Sequence, residues 1–247
     1  NVGAHLARRI GPNMEVTEYR AYRQGDDPRR LDWKLLARTD RAYVRLAPDV
    51  ATTPTLILLD GSASMSAGLG GVSKWRMARM ICVGMAAVAR SSGDPVGVAM
   101  VHASGSTRLV PRSRGDVVRE IIRMIDAAGP GGDAPLTPLL DGLRGVDRVV
   151  VISDCLGDMD ELLARCASLR ARGAEVILVH VIARAELDLP LDRAIAVDPE
   201  NTAMRRPMAR GAHRAYLDAF DAFRTTMREE WVARGARYVA VVDDEQP

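Results

Sequence analysis

The sequence has 247 residues, a formal net charge of +2, and 47% hydrophobic and 27% charged residues. This length can hold one large α/β domain, or one such domain preceded by an arm. The nearly balanced charge provides no polybasic field, which argues against nucleic acid or an anionic membrane surface as partner. No apolar run approaches the ~20 residues of a membrane-spanning helix, and no signal peptide opens the chain.

The cysteines indicate the cellular compartment. Cys82, Cys155 and Cys166 are odd in number and have no C-x-x-C spacing, which favours reduced thiols over a disulfide framework or a zinc site. We therefore expect a cytoplasmic protein. The sequence begins with Asn1 rather than Met, so these residues leave open whether a segment precedes it.

Residues 1–50 differ in composition from the remainder. The stretch 18–33 is dense in charged and aromatic residues and contains a Gly-Asp-Asp-Pro turn signal. The pattern predicts an extended arm with a short helical turn over 34–38 and a strand over 42–46. Such a composition is typical of two arrangements, an arm that packs its aromatic side chains on the main domain or a surface that binds a partner.

From residue 51 onward, strands and helices alternate, which predicts a parallel sheet covered by helices on both faces. One link, between strands 96–101 and 107–110, is too short for a parallel crossover, so these two strands must be antiparallel neighbours. The other predicted strands are 55–59, 148–153, 175–181, 194–197 and 238–242, and the predicted helices are 74–90, 116–128, 139–143, 160–172 and 213–234.

The first strand of this domain ends in a group of oxygen-bearing side chains. The apolar run 55–59 is typical of a strand buried on both faces, and Asp60 follows at its carboxyl end, where open α/β sheets hold their ligands. Gly61 allows a tight turn, so that Ser62 and Ser64 can converge with Asp60. One carboxylate and two hydroxyls suit a hard cation such as Mg²⁺.

Two later segments supply further oxygen atoms to the same rim. Strand 148–153 is again buried and ends in Asp154, and the glycine-rich loop 129–138 offers Thr137. Thr137 also stands where it could serve only as the N-cap of a helix. A fold that keeps this geometry without appreciable metal affinity is the alternative to a metal site. The candidate metal ligands are Asp60, Ser62, Ser64, Thr137 and Asp154.

These motifs resemble two known groups of proteins. Asp60-Gly61-Ser62-Ala63-Ser64, the Thr137 loop and Ile152-Ser153-Asp154 resemble the metal-ion-dependent adhesion site of von Willebrand factor A domains. The stretch 18–33, from Glu18-Tyr19-Arg20 through Gly25-Asp26-Asp27-Pro28-Arg29-Arg30-Leu31-Asp32-Trp33, and the following Ala37-Arg38-Thr39 resemble the signature of bacterial domain-of-unknown-function family 58. The resemblance covers residues from about 10 to 180.

The resemblance implies a von Willebrand A-like domain over 51–247, with a mostly parallel sheet and one antiparallel edge strand, preceded by the arm over 1–50. It implies that Ser62 and Ser64 bind Mg²⁺ (or Mn²⁺) directly, and that Asp60 and Asp154 do so directly or through water. An open coordination position would then accept a carboxylate from a protein partner. Pro135 and Pro138 flank Thr137, a departure that stiffens this loop.

The resemblance further implies a non-enzymatic adaptor or chaperone-like role beside a MoxR-type AAA+ ATPase. The chain itself has no G-x-x-x-x-G-K-[ST] motif, so it should not be the ATPase. The arm would supply a second binding surface, and the main contact could be made there rather than through the metal. Its candidate partner-binding residues are Tyr19, Arg20, Asp26, Asp27, Arg29, Asp32 and Trp33.

A hydrolase is the competing function. A serine enzyme using Ser62 or Ser64 would lack the G-x-S-x-G motif and an evident histidine base. A metal phosphohydrolase would lack a second carboxylate after Asp60 to act as general acid or base. His102 and His180 each end an apolar strand, where a hydrogen-bonded structural histidine is more common than a catalytic one.

Overall fold

A computed structural model describes residues 18–46, 52–69, 72–187, 195–197, 205–207 and 212–243. The backbone divides into two compact units, Asn1–Ala51 and Thr52–Pro247. The strands are β1 Glu18–Ala21, β2 Tyr43–Leu46, β3 Thr55–Leu59, β4 Gly68–Leu69, β5 Val72–Ser73, β6 Val96–His102, β7 Gly105–Arg112, β8 Arg148–Ser153, β9 Glu175–Ala183, β10 Ile195–Val197, β11 Arg205–Pro207 and β12 Arg237–Asp243. The helices are α1 Trp33–Thr39, α2 Lys74–Ser91, α3 Val117–Asp126, α4 Met159–Ala171, α5 Arg184–Leu187 and α6 Ala212–Ala233.

The larger unit is built on a six-stranded sheet in the order β12-β9-β8-β3-β6-β7. All neighbouring strands are parallel except β6 and β7, which are antiparallel, so the predicted sheet with one antiparallel edge strand is confirmed. After β3 the chain adds β6 on one side and later returns to add β8 on the other. This reversal creates a switch point beside β3, the place where open α/β sheets hold ligands.

Both faces of the sheet are buried. Leu56 and Leu58 of β3 belong to a hydrophobic core shared with α4 and α6, whereas Ile57 and Leu59 belong to a second core shared with α2 and α3. Side chains alternate between the faces of a strand, so an unbroken apolar run is what a strand covered on both sides requires. The prediction of helices on both faces is confirmed.

The smaller unit contains a two-stranded antiparallel sheet and a short helix. Strand β1 pairs with β2, from Glu18 opposite Leu46 to Ala21 opposite Tyr43. The chain between these strands holds a 3-10 helix, Pro28–Arg30, and α1. The sequence predicted α1 and β2 but not β1.

Several element boundaries differ from the sequence expectations. The predicted helix 139–143 is a 3-10 helix that begins earlier, Thr137–Leu140, and Leu136 occupies its N-cap position without a side-chain hydrogen bond. The N-cap interpretation of Thr137 is therefore wrong. The predicted strand 194–197 is seen as β10, which pairs with β11 outside the main sheet, while residue 194 lies outside the described residues. Within the described residues, no helix is long and apolar enough to cross a membrane.

Candidate functional site

The loop after β3 is fixed in place by close backbone contacts. Asp60 N donates to Ile152 O at 2.9 Å, which extends the pairing of β3 with β8 by one bond. At Gly61, a Cβ atom would lie 2.3 Å from Val101 O, closer than side chains approach, so only glycine fits beside β6. The loop therefore begins with its backbone pressed between the two neighbouring strands.

The glycine-rich loop lies against this first loop. Gly131 N donates to Gly61 O at 2.8 Å, and Ala63 N donates to Gly132 O at 2.9 Å. These two bonds run in opposite directions between the loops and hold them side by side. The segment that carries Thr137 is thus anchored to the segment that carries the serines.

The three candidate hydroxyl ligands are all buried. Ser62 Oγ and Ser64 Oγ lie 3.0 Å apart, so the turn brings these two side chains together. Thr137 is only 4% exposed, and its Oγ1 has no hydrogen-bond partner among the residues that the structure describes. A buried hydroxyl without a partner is costly in a folded protein and calls for an explanation such as a ligand.

Asp60 is buried, and both of its carboxylate oxygens accept hydrogen bonds. Ser62 N donates to Oδ1 at 2.9 Å, and Ser153 Oγ donates to Oδ2 at 2.6 Å. Burial raises the pKa of Asp60 above its usual range, and the nearby charge of Asp154 raises it further, although the hydrogen bonds act in the opposite direction. The two carboxylates therefore share a buried, electronegative site whose ionised form a cation would favour.

Asp154 is also buried and forms an ion pair. Lys74 Nζ lies 2.6 Å from Asp154 Oδ2 and 2.7 Å from Glu186 Oε1, and Lys74 is 0% exposed. Leu156 N donates to the other carboxylate oxygen, Asp154 Oδ1, at 3.3 Å. The third candidate loop is thus tied to the start of α2 and to α5.

Sequence reasoning missed Lys74, Glu186 and Ser153. One signal existed for Lys74, because it is one of only two lysines among 34 basic residues. A compact ammonium group, unlike the planar guanidinium of arginine, suits a small buried position between carboxylates. Ser153 directly precedes Asp154, but nothing in its spacing indicates that it donates to Asp60.

The side chains present fit a hard divalent cation through hydroxyl and carboxylate oxygens. Within the described part of the chain, no group of three or more His, Cys, Asp or Glu side chains is placed to hold a metal ion. Metal binding here would therefore depend on the hydroxyls of Ser62, Ser64 and Thr137 in addition to the two aspartates. The unpartnered Thr137 hydroxyl is the observation that best fits this requirement.

Most candidate partner-binding residues of the arm hold the arm together. Arg20 donates to both carboxylate oxygens of Asp26, at 3.0 and 2.9 Å. Asp26 Oδ2 also accepts from Arg23 N at 2.8 Å, and Asp27 Oδ1 accepts from Arg29 N at 2.9 Å. The Gly-Asp-Asp-Pro turn is therefore stabilised by its own acidic side chains.

Asp32 has a structural role at the start of α1. Its Oδ1 accepts from Lys34 N and Leu35 N, both at 3.0 Å, and its Oδ2 accepts from Tyr19 OH at 3.2 Å. Trp33, by contrast, is 64% exposed, and Arg29 is exposed as well. Asp27 is exposed too, but its side chain caps the 3-10 helix, so Trp33 and Arg29 are the better candidates for contact with a partner.

The sequence is similar to one protein family and to individual mycobacterial proteins. The family model "Protein of unknown function DUF58" matches residues 18–229. Uncharacterized protein Rv1480 of Mycobacterium tuberculosis and uncharacterized protein Mb1516 of Mycobacterium bovis are each 30% identical over 239 residues, covering 86% of this chain and 73% of the relative.

Among solved structures, the conserved hypothetical protein BatB from Bacteroides thetaiotaomicron superposes with a TM-score of 0.50 and 17% identity, over 78% of this chain and 91% of BatB. The SpRpn10 VWA domain aligns with a TM-score of 0.45 and 10% identity, over 79% and 91% of the two chains. The likeness to BatB shows a shared fold. Because the family model matches most of its length, residues 18–229, the chain belongs to the DUF58 family of proteins of unknown function.

Proposed function

We propose that this protein is a protein-binding module that captures a carboxylate of its partner through Mg²⁺ or Mn²⁺. The metal would be held where β3 and β8 end. The observation that carries the proposal is the buried, unpartnered hydroxyl of Thr137, on a loop bonded to the loop of Ser62 and Ser64. Coordination of a cation by the oxygen of such a hydroxyl would offset the cost of its missing hydrogen bond.

The five candidate ligands would contact the metal in two ways, directly or through water. Ser62, Ser64 and Thr137 would bind the metal through their hydroxyl oxygens. Both carboxylate oxygens of Asp60 and of Asp154 already accept bonds from protein groups, which supports contact through water. A bound metal supplies a positive centre with room for one further oxygen ligand, and an acidic side chain of a partner has the matching charge.

The hydrolase alternative finds less support in the site. His102 Nε2 lies 2.7 Å from Thr107 Oγ1, and His180 Nδ1 lies 2.7 Å from Tyr238 OH, so each ring is engaged in a structural hydrogen bond. The carboxylates are engaged in the same way. A von Willebrand A-like fold supports an interaction module, and we propose that the protein acts without catalysis.

We further propose a MoxR-type AAA+ ATPase as the partner. This proposal rests on the arm motif of 18–33, whose family signature implies such a partner, and on the lack of a P-loop in this sequence. Energy from ATP would then come from the partner, and this chain would connect the ATPase with a client.

The experiment measures two properties of the full chain, its binding of metal and its capture of the ATPase encoded nearest to its gene. Mn²⁺ binding to the full chain is followed by electron paramagnetic resonance, and capture is compared in MgCl₂ and in EDTA. Ser64→Ala should lose both metal binding and capture. Ser66→Ala is the matched control, because Ser66 lies in the same loop, is exposed, and has a hydroxyl that donates to Ala63 O rather than to another candidate ligand. Capture that persists in EDTA would contradict the metal-dependent mechanism.

The exposed residues of the arm favour a second candidate, in which the arm makes the main contact. Trp33 has the large exposed aromatic surface that is enriched at binding hot spots. Trp33→Ala and Arg29→Ala would then release the partner while Ser64→Ala retains it. Tyr22→Ala is the control for Trp33→Ala, since Tyr22 is also an exposed aromatic residue of the arm.

A further inference from the structure

We propose that Lys74, held by Glu186, sets the affinity of the site for divalent cations by acting as a resident positive charge on Asp154. The proposal rests on the proposed metal-dependent function and adds its regulation. Lys74 Nζ is bonded to Asp154 Oδ2 at 2.6 Å and to Glu186 Oε1 at 2.7 Å. The ammonium group therefore occupies one oxygen of a candidate metal ligand.

The position of Lys74 is unfavourable for a lysine unless it serves the carboxylates. Lys74 is the first residue of α2, where the positive end of the helix dipole disfavours a cation, and it is fully buried. Asp154 Oδ2 and Glu186 Oε1 lie 2.6 and 2.7 Å from its Nζ, so opposite charges on two sides offset the cost of burying this cation. The residue thus remains an ammonium ion, held in place by two carboxylates.

Glu186 holds Lys74 from the opposite side. Its Oε1 binds Lys74, and its Oε2 accepts from Ala183 N at 2.8 Å, so the carboxylate is fixed at the start of α5. With all three carboxylates ionised, Asp60, Asp154 and Glu186 would carry three negative charges against the single positive charge of Lys74. The remainder of two negative charges matches one divalent cation.

When Lys74 is replaced, a purely structural role and an electrostatic role of this residue predict opposite changes in metal affinity. If Lys74 only anchors α2 to β8 and α5, then its loss disorders Asp154 and weakens metal binding. If Lys74 competes with the metal for the charge of Asp154, then its loss tightens metal binding, because two like charges no longer share a buried site.

The test measures Mn²⁺ affinity of the full chain by electron paramagnetic resonance, with thermal unfolding as the check of folding. We expect Lys74→Met to tighten binding by about tenfold or more, and Glu186→Gln to weaken it by about the same factor. The double variant Lys74→Met/Glu186→Gln keeps the total charge of the cluster. It should bind Mn²⁺ within about threefold of the wild type, and it remains informative if Lys74→Met alone fails to fold.

The outcomes separate this inference from the proposed function. Weaker binding in both single variants, or unchanged binding in Lys74→Met, overturns the inference alone. An absence of Mn²⁺ binding in the wild type and in every variant overturns both. Binding by Lys74→Met but not by the wild type supports the inference and overturns metal-dependent capture by the natural chain.

Discussion

Thr55 and Thr137 are both buried threonines, and they differ in whether the hydroxyl is hydrogen-bonded. Thr55 Oγ1 donates to Thr53 O at 3.0 Å, whereas Thr137 Oγ1 has no partner in the described part of the chain. Both residues are almost fully buried. The pair therefore allows the contribution of a satisfied hydroxyl to be compared with that of an unsatisfied one in the same domain.

We predict that Thr137→Val leaves the free energy of unfolding unchanged or raises it by about 1 kcal/mol, since an unpaired buried hydroxyl is removed. The same change should weaken Mn²⁺ binding by about tenfold or more. Thr55→Val should lower the free energy of unfolding by about 1 kcal/mol and leave Mn²⁺ binding unaltered. Urea unfolding and Mn²⁺ titration check both variants, and a clear loss of stability in Thr137→Val would show that its hydroxyl is satisfied in solution.

His180 couples stability to pH. It is 1% exposed, and its ring lies edge-on to Phe223 and Tyr238. Burial lowers the pKa of His180 to about 4, and the charge of Arg224 acts in the same direction, while Asp154 opposes it. The folded state therefore favours the neutral imidazole.

We predict that the contribution of neutral His180 to the free energy of unfolding is lost in mild acid. In the unfolded chain the histidine pKa is about 6.5, so between that pH and about 4 the unfolded state binds a proton that the folded state excludes. The contribution is complete above pH 6.5 and falls by about 3 kcal/mol as the pH drops to 4. Urea unfolding at pH 7, 5.5 and 4.5 measures it, and His180→Gln should flatten the difference. Equal slopes in the two proteins would contradict the assignment.

At the scale of elements, the loops of the site depend on close backbone packing. Gly61 lies against β6, where a Cβ atom would meet Val101 O at 2.3 Å. Gly84 is an exposed residue in the middle of α2, and no atom of the described residues lies within 4 Å of its Cβ position. Gly61 and Gly84 form a matched pair, because close packing requires glycine at position 61 whereas position 84 has room for a side chain.

We predict that Gly61→Ala displaces the loop of Ser62 and Ser64, lowers the free energy of unfolding by about 2 kcal/mol or more, and abolishes Mn²⁺ binding. Gly84→Ala should raise the free energy of unfolding by about 0.5–1 kcal/mol, because alanine favours a helix interior. Thermal unfolding and Mn²⁺ titration of both variants provide the check. Normal metal binding by Gly61→Ala would mean that the loop tolerates the shift.

The sequence predicted the elements whose signals are local and missed those that depend on distant contacts. Strands β3 and β8 were predictable because an apolar run followed by an aspartate is visible within seven residues. Strand β1 was not, since Glu18–Ala21 alternates polar and apolar residues over only four positions, the shortest run that indicates a strand. The pair of Lys74 and Glu186 joins residues 112 positions apart, and no local pattern indicates which acid a buried lysine will meet.

At the scale of the whole molecule, the three free cysteines are distributed over both faces of the central sheet. Cys82 lies in the core with α2 and α3, whereas Cys155 and Cys166 lie in the core with α4 and α6. All three are buried and free. Burial raises the pKa of Cys82 and Cys166 to about 12, and it raises the pKa of Cys155 as well.

We predict that the thiols of the native protein react with a disulfide reagent only when the domain opens. At pH 8 a thiol with a pKa near 12 is ionised to about one part in ten thousand, and burial also blocks access of the reagent. All three thiols should therefore be modified together, at a rate that rises with urea as global unfolding does. A ligand of the native state stabilises it by mass action, so MgCl₂ should slow the reaction of all three, and Ser64→Ala should remove that effect. Modification of one thiol well ahead of the others would show that the two cores open separately.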